Sequence, residues 1–283
     1  MRFRWDWLQP VMHAPFVPTL GPMPPEAVCA ELFDAVLDVA HSGRFLPFDK
    51  DRRWAATKDE WVLVGDIVHT AAETIVPALS TRGGGLVKLY YYGATEPDLP
   101  ELVCLGERLA KCHSVGAGNR VIWFSDRSDG ASGRVMVKRF SSADDRLCNG
   151  IQVLADCPVA DTFGAFADEI GPEGFQFLYQ RMKSGQRDGP TLVSVVDDRV
   201  VGAVGPLSTV AGPDGRTIQQ PAYFAVHPAY RGLGHGRNLW RASMSWGRTR
   251  EAEVKVLQAS RGSAAEGLYV SEGLETYGYV CQA

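Results

Sequence analysis

The chain has 283 residues, a formal charge of −4 from 29 Lys and Arg against 33 Asp and Glu, and 45% hydrophobic residues. That balance excludes a disordered, collagen-like or coiled-coil chain, and the length suggests two domains. The acidity is mild and equal on either side of Leu147, so no basic face marks a nucleic-acid binder.

Residues 10–25 hold six prolines and read as an extended arm rather than as helix or strand. Val28, Leu32, Val36 and Val39 recur at helical spacing and predict a helix over Glu26–His41. A second helix is expected over Lys58–Leu79, ending near Pro77. Leu86–Tyr92 is rich in β-formers and predicts a strand. A helix over Leu99–Cys112 follows, then strands at Arg120–Ser125 and Arg134–Phe140 about a Gly/Ser/Asp turn. Ser141–Asp145 forms a polar break, and the order changes after it. Strands are expected at Gly150–Leu154, Thr191–Val196, Val200–Val204, Gln219–Val226, Glu253–Ala259 and Tyr277–Cys281. Helices are expected at Asp161–Glu169, Glu173–Lys183, from the glycine-rich turn at Arg231–Gly236 to about Arg250, and at Ser263–Glu272.

The six cysteines (Cys29, Cys104, Cys112, Cys148, Cys157 and Cys281) contain no C-x-x-C pair, and the six His are dispersed without a two-His helix pattern. No metal site is therefore expected. The opening residues lack the apolar run of a secretory signal, and no stretch approaches the ~18 apolar residues of a membrane span. A cytoplasmic chain with reduced thiols, no membrane partner and no nucleic-acid partner is the expectation, with a homodimer left open.

Chemistry concentrates in Tyr223-Phe-Ala-Val-His-Pro-Ala-Tyr-Arg-Gly-Leu-Gly-His-Gly-Arg-Asn-Leu-Trp240, an apolar strand running into a glycine-rich turn and a helix start. Glycines 232, 234 and 236 let backbone approach a bulky anion and turn N–H groups into one concavity. The helix N-terminus adds unpaired donors and a positive dipole end, so phosphate or pyrophosphate belongs there. Arg231 and Arg237 would reinforce that charge. The loop lacks the Gly-Lys-Ser/Thr ending of a Walker A sequence. Arg237 stands where a dinucleotide fingerprint needs its third glycine.

What remains resembles the acyl-CoA loop of the GNAT superfamily of N-acetyltransferases, Arg/Gln-x-x-Gly-x-Gly/Ala, met here by Arg231, Gly234 and Gly236. The apolar strand ending in Val226-His-Pro agrees with it. So does Ala265-Glu-Gly-Leu-Tyr269-Val-Ser-Glu-Gly-Leu-Glu275, which is similar to the family's closing helix. The resemblance runs from about Leu147 to the end. It implies an α/β (α+β) fold: a mixed, mostly antiparallel twisted sheet flanked by helices over residues 147–283. Residues 1–146 would form an N-terminal mixed α/β domain, either substrate-shaping or a degenerate second copy without a glycine loop.

The resemblance further implies acetyl-CoA as cosubstrate and transfer to an amine by direct attack. Phe224, Ala225 and Val226 would contact the pantetheine arm, and Gly232, Leu233, Gly234, His235, Gly236 and Arg237, with Arg231, would hold the pyrophosphate. Tyr269 would protonate the departing thiolate. The family's strand glutamate is replaced by Gln220, which cannot act as a base. Gly262-Ser263 stands where many members place a CoA-contacting asparagine. His227 reads as a solvent-facing turn residue, and Glu266 and Glu272 as solvated helix residues, so no base is named. A small-molecule amine is the expected acceptor. A protein lysine or N-terminus is an alternative, as is an acyl-CoA-binding sensor without turnover. Trp54, Trp61, Tyr90–Tyr92 and Trp123 are expected to pack in a core rather than line an acceptor pocket.

Overall fold

A computed structural model describes residues 4–116, 118–144, 150–171, 174–186 and 188–283. The polar break at Asp145, the sequence boundary at Leu147, Cys148 and the expected helix start at Glu173 lie outside the described residues. The chain forms two compact units. The first comprises Met1–Val137, Gly212–Asp214 and Val256–Ala283, and the second Lys138–Ala211 and Gly215–Lys255.

The strands and helices of the first unit are β1 (Phe16–Val17), β2 (Gly21–Pro22), α1 (Ala30–Asp38), β3 (Glu60–Val62), β4 (Val68–His69), β5 (Glu73–Ser80), β6 (Leu86–Gly93), α2 (Leu99–Cys112), β7 (Asn119–Ser125) and β8 (Gly133–Arg139). The second unit follows with β9 (Ile151–Val153), α3 (Phe163–Ile170), α4 (Phe175–Lys183), β10 (Leu192–Val196), β11 (Arg199–Gly205), β12 (Thr209–Ala211), β13 (Thr217–Gln219), β14 (Tyr223–Val226) and α5 (His235–Thr249). The strand β15 (Val254–Ser260) crosses from the second unit to the first, and α6 (Ala264–Ser271) and β16 (Glu275–Gln282) complete the first.

In the first unit the sheet order is β15–β8–β16–β7–β6–β5–β3, with β4 also on β5. β6 and β7 are parallel and joined through α2, while β5–β6, β7–β16 and β8–β16 are antiparallel. The sheet is mixed, mostly antiparallel and flanked by helices, as the expected fold class has it, but in this unit most of its strands come from residues 1–146, with β15 and β16 from 147–283. The α2 helix begins and ends where the sequence predicts, because Asp98 caps the Glu101 N–H at 3.2 Å and Pro100 suits the first turn. Leu102, Leu109 and Ala110 of α2 pack on Val87, Leu89, Tyr91 and Val121, one face of β6 and β7. The alternate residues Tyr90 and Tyr92 point to the other face, as strand periodicity requires. There Phe16 and Phe124 meet their rings, and the Tyr92 hydroxyl donates to Phe16 O at 2.8 Å. The tyrosine run is core.

Two expectations in this unit fail. The segment 58–79 is not a helix but contains β3, β4 and most of β5. Glu73-Thr-Ile-Val forms strand because its β-branched residues gain ladder partners in β6. Pro77 is tolerated where β5 changes partner from β4 to β3, and there its carbonyl accepts from Leu63 N. The proline-rich segment is not an arm either. It folds back as β1–β2, and Leu8, Phe16, Val17, Leu20 and Met23 are buried.

The second unit holds a four-stranded sheet in the order β14–β11–β10–β9, all antiparallel. On one face α3 and α4 bury Phe163, Phe166 and Phe175 against Val193, Val200, Ala203 and Ala225. The three rings contact one another at 5.5–6.0 Å, and truncating a phenylalanine in such a cluster costs about 3–5 kcal/mol. On the other face α5 brings Leu239 against Leu192, Val204 and Leu207. Gly202 makes that approach close, since a Cβ there would lie 2.9 Å from Leu239 Cδ1. The expected strand over Gln219–Val226 is two strands. Gln220-Pro221-Ala222 interrupts it: Pro221 has no N–H to give a ladder, and Gln220 N bonds Ser208 O at 2.9 Å. No helix among the described residues is long and apolar enough to cross a membrane.

Candidate functional site

In the second unit β14 delivers the chain to the glycine-rich loop. It pairs with β11 through Gly202↔Val226, Ala203↔Ala225, Val204↔Phe224 and Gly205↔Tyr223. It is the edge strand of its sheet, so its other side presents backbone groups to an extended ligand. Phe224 and Val226 pack under α5 and Ala225 faces α3 and α4, so these three residues serve the core as well.

The turn after β14 is tied at several points. The His227 ring accepts from Ala229 N at 3.3 Å, and its Nε2 lies 3.2 Å from Glu169 Oε2 on α3. His227 is therefore half-buried and paired, not a solvent-facing turn residue. Glu169 also ion-pairs with Arg199 at the start of β11, so one carboxylate links α3, β11 and the turn. Arg231 donates its Nε to Val226 O at 2.9 Å and closes the turn onto the strand end.

Between Arg231 and α5 the backbone needs glycine. Gly232 and Gly234 have φ of +80° and +91°, a region in which a Cβ is strained. Gly234 is the N-cap of α5, with no side-chain cap and no acid in the first helical turn. Among the described residues the N–H groups of Gly232 to Gly236 donate to no protein acceptor; the next bond is Asn238 N to Gly234 O, at 3.0 Å. A run of unpaired donors at the positive end of a 15-residue helix is an anion cradle. The structure thus brings Phe224–Val226 and Arg231–Arg237 together on one edge of one unit.

Tyr269 belongs to the first unit, on α6. Burial raises its phenol to about 12, so the group is protonated at neutral pH. One turn earlier Glu266 is buried, contrary to its reading as solvated. Its carboxylate accepts from Gly262 N at 2.7 Å and pairs with Arg261 and with Arg134, the latter at 3.5 Å. Burial alone would raise its pKa. The Gly262 N–H and then the two guanidiniums outweigh that and hold it below the ordinary carboxylate value. Ser263 caps α6 by accepting from Glu266 N at 3.2 Å. Gly262-Ser263, in place of the family asparagine, thus has a structural task at the start of this helix. Gln220 is buried, with its amide oxygen accepting from Ser208 Oγ at 3.1 Å and its carbonyl accepting from Lys255 Nζ at 2.9 Å.

The model of the acetyltransferase (GNAT) family matches residues 159–271. This chain carries a GNAT domain. That domain marks an acyltransferase enzyme. Among solved structures, a GNAT-family acetyltransferase from Colwellia psychrerythraea is 12% identical, covers 92% of this chain and 96% of its own, and aligns with a TM-score of 0.51. The two share a fold. A GCN5-related N-acetyltransferase from Sphaerobacter thermophilus is 14% identical over 77% of this chain and 82% of its own, with a TM-score of 0.46. One from Kribbella flavida is 15% identical over 78% and 90%, with a TM-score of 0.43. No curated protein matches the chain.

The GNAT domain spans both compact units, since residues 256–271 count with the first. Glu169 and Ser194, whose side chains hold the GNAT loop's flanks, carry no signal in the sequence. Each is a single residue in an ordinary amphipathic segment, far along the chain from the loop it touches.

Proposed function

We propose that the enzyme transfers an acetyl group from acetyl-CoA to the primary amine of a small molecule, by direct attack and without a covalent enzyme intermediate. The observation that carries this reading is the run of N–H groups from Gly232 to Gly236 that donate to no acceptor among the described residues, leading from the edge strand β14 into α5 within the matched GNAT segment. These donors suit a pyrophosphate, and the open edge at Phe224, Ala225 and Val226 suits the amide-bearing arm of coenzyme A, received as an added strand. Arg231 and Arg237 add positive charge beside them.

In the proposed reaction the neutral amine attacks the thioester carbonyl, the C–S bond breaks, and the thiolate takes the phenol proton of Tyr269. The amine's own proton passes to water, since Gln220 has no basic atom and its amide oxygen is engaged by Ser208. Holding both reactants in one complex supplies the proximity that replaces covalent catalysis. Residues 147–283 would provide the cofactor machinery and residues 1–146 would shape the choice of acceptor. A cytoplasmic setting belongs to the same proposal, supported by the unpaired thiols of Cys29, Cys104, Cys112, Cys157 and Cys281.

The test is to incubate the protein with acetyl-CoA and a panel of small amines and lysine peptides while following release of free CoA. Turnover with small amines supports the proposal, and turnover confined to peptides moves the acceptor to protein. If no acyl-CoA binds, the reading fails.

A further inference from the structure

The glycine loop is tethered to its own unit from both ends. Its first end is held by Arg231 Nε on Val226 O. Its second end is held by the ring of His235, the first residue of α5, whose Nδ1 lies 2.8 Å from Ser194 Oγ. A Cβ on Gly232 or Gly234 would meet no atom within 4 Å, and Leu233 is 68% exposed. Two glycines in the left-handed region have more freedom than other residues, so their N–H groups converge only if both flanks are fixed.

Ser194 is placed for this task. It is 3% exposed on β10, paired with Gly202 and Ile151, and the β10–β11 register shifts between Ser194 and Val195. Such a bulge re-aims the side chain beside it. The bond to His235 is also indifferent to the tautomer, because a hydroxyl donates to a bare Nδ1 and accepts from a protonated one. The Tyr230 ring meets the His235 ring edge-on at 6.3 Å and limits the imidazole further.

We propose that Ser194 is a positioning residue for the acyl donor: through His235 it fixes the Gly232–Gly236 N–H groups in the geometry that receives pyrophosphate. The inference rests on the reading of this loop as the pyrophosphate site. Its physical content is preorganisation. With the anchor in place the loop is ordered before binding, and without it the ligand must order two glycines itself.

Calorimetry of the full chain with CoA and with pantetheine, which lacks the pyrophosphate, tests this. Ser194→Ala is expected to weaken CoA binding about tenfold, in line with losing one well-placed hydrogen bond, and to leave pantetheine binding unchanged. Ser194→Thr, which keeps the hydroxyl, restores CoA binding. His235→Leu breaks the same bond from the loop side and reproduces the loss. The double variant then loses no more than either single one. A Ser194→Ala protein that binds CoA as tightly as the parent overturns the proposal. Equal weakening toward CoA and pantetheine, or fully additive losses in the double variant, overturns it too. A parent protein that binds CoA no better than pantetheine removes the loop reading itself, a failure distinct from these.

Discussion

A methyl group placed on Gly236 would lie 3.7 Å from Val226 Cγ2, an ordinary van der Waals contact. The third glycine of the loop, unlike Gly232 and Gly234, does not lie at positive φ. The three therefore differ in what they require: two need backbone freedom, and the third needs only room for one carbon. Gly236→Ala is expected to bind acetyl-CoA within about twofold of the parent, while Gly232→Ala and Gly234→Ala weaken it about tenfold, the equivalent of 1–2 kcal/mol of left-handed strain. Equilibrium binding of the three variants checks the ranking, and equal losses at all three positions would contradict it.

Tyr269→Phe removes the proposed acid and keeps the ring. On the proposed acceptor, kcat is expected to fall about 10²-fold or more with the KM for acetyl-CoA changed by less than about threefold. Burial lifts the phenol from 10.0 to about 12, so the folded state disfavours the phenolate. That contribution to stability is complete below pH 10 and disappears as pH rises through about 12. A titration of phenolate absorbance in parent and variant should differ by one group ionising near the upper end of this range. An unchanged kcat in the variant would remove the acid role.

Glu266 works in the opposite direction. Its carboxylate is held below the ordinary 4.5, so it stabilises the fold above that value and the stability is lost as pH falls through the lowered one. Glu266→Gln abolishes both ion pairs and is expected to lower the melting temperature at neutral pH, with the gap to the parent narrowing as pH falls below the ordinary carboxylate value of 4.5. Melting curves at neutral pH and below 4.5 decide the matter, and a gap independent of pH would mean that charge at this position is not what stabilises.

The first unit contains its own strand–helix–strand crossover, β6–α2–β7, but the helix start there is closed to phosphate. The Asp98 carboxylate already occupies the Glu101 N–H, and Glu101 adds a second negative charge in the first turn. One acetyl-CoA per chain is therefore expected by calorimetry, and a stoichiometry of two would refute this.

The glycine loop was legible in the sequence because its donors, its helix start and its preceding strand are contiguous, so spacing alone carries the geometry. The α2 helix was legible for the same reason: cap, proline and apolar period lie in one window. The segment 58–79 was not. Its apolar residues suit either a helix or several short strands, and the choice was made by Leu86–Gly93, which lies outside that window and supplies the ladder. The broken strand at Gln220–Ala222 shows the same limit, since Ser208 captures the Gln220 N–H. Glu266 also pairs with Arg134, 132 positions away in sequence, and the anchor of His235 is Ser194, 41 positions away. Chemistry written in neighbouring residues could be read directly; chemistry assembled by folding could not.

The strands β7 and β8 follow one another in the chain yet do not pair. The last strand, β16, inserts between them, with Tyr279 opposite Ser125 on one side and Arg134 on the other. During synthesis the two earlier strands must therefore leave a vacancy that only Glu275–Gln282 can fill. Until those eight residues emerge, the middle of the first unit's sheet has two open edges. A nick within Glu275–Gln282, or its removal, would thus strike the centre of this sheet and not its margin.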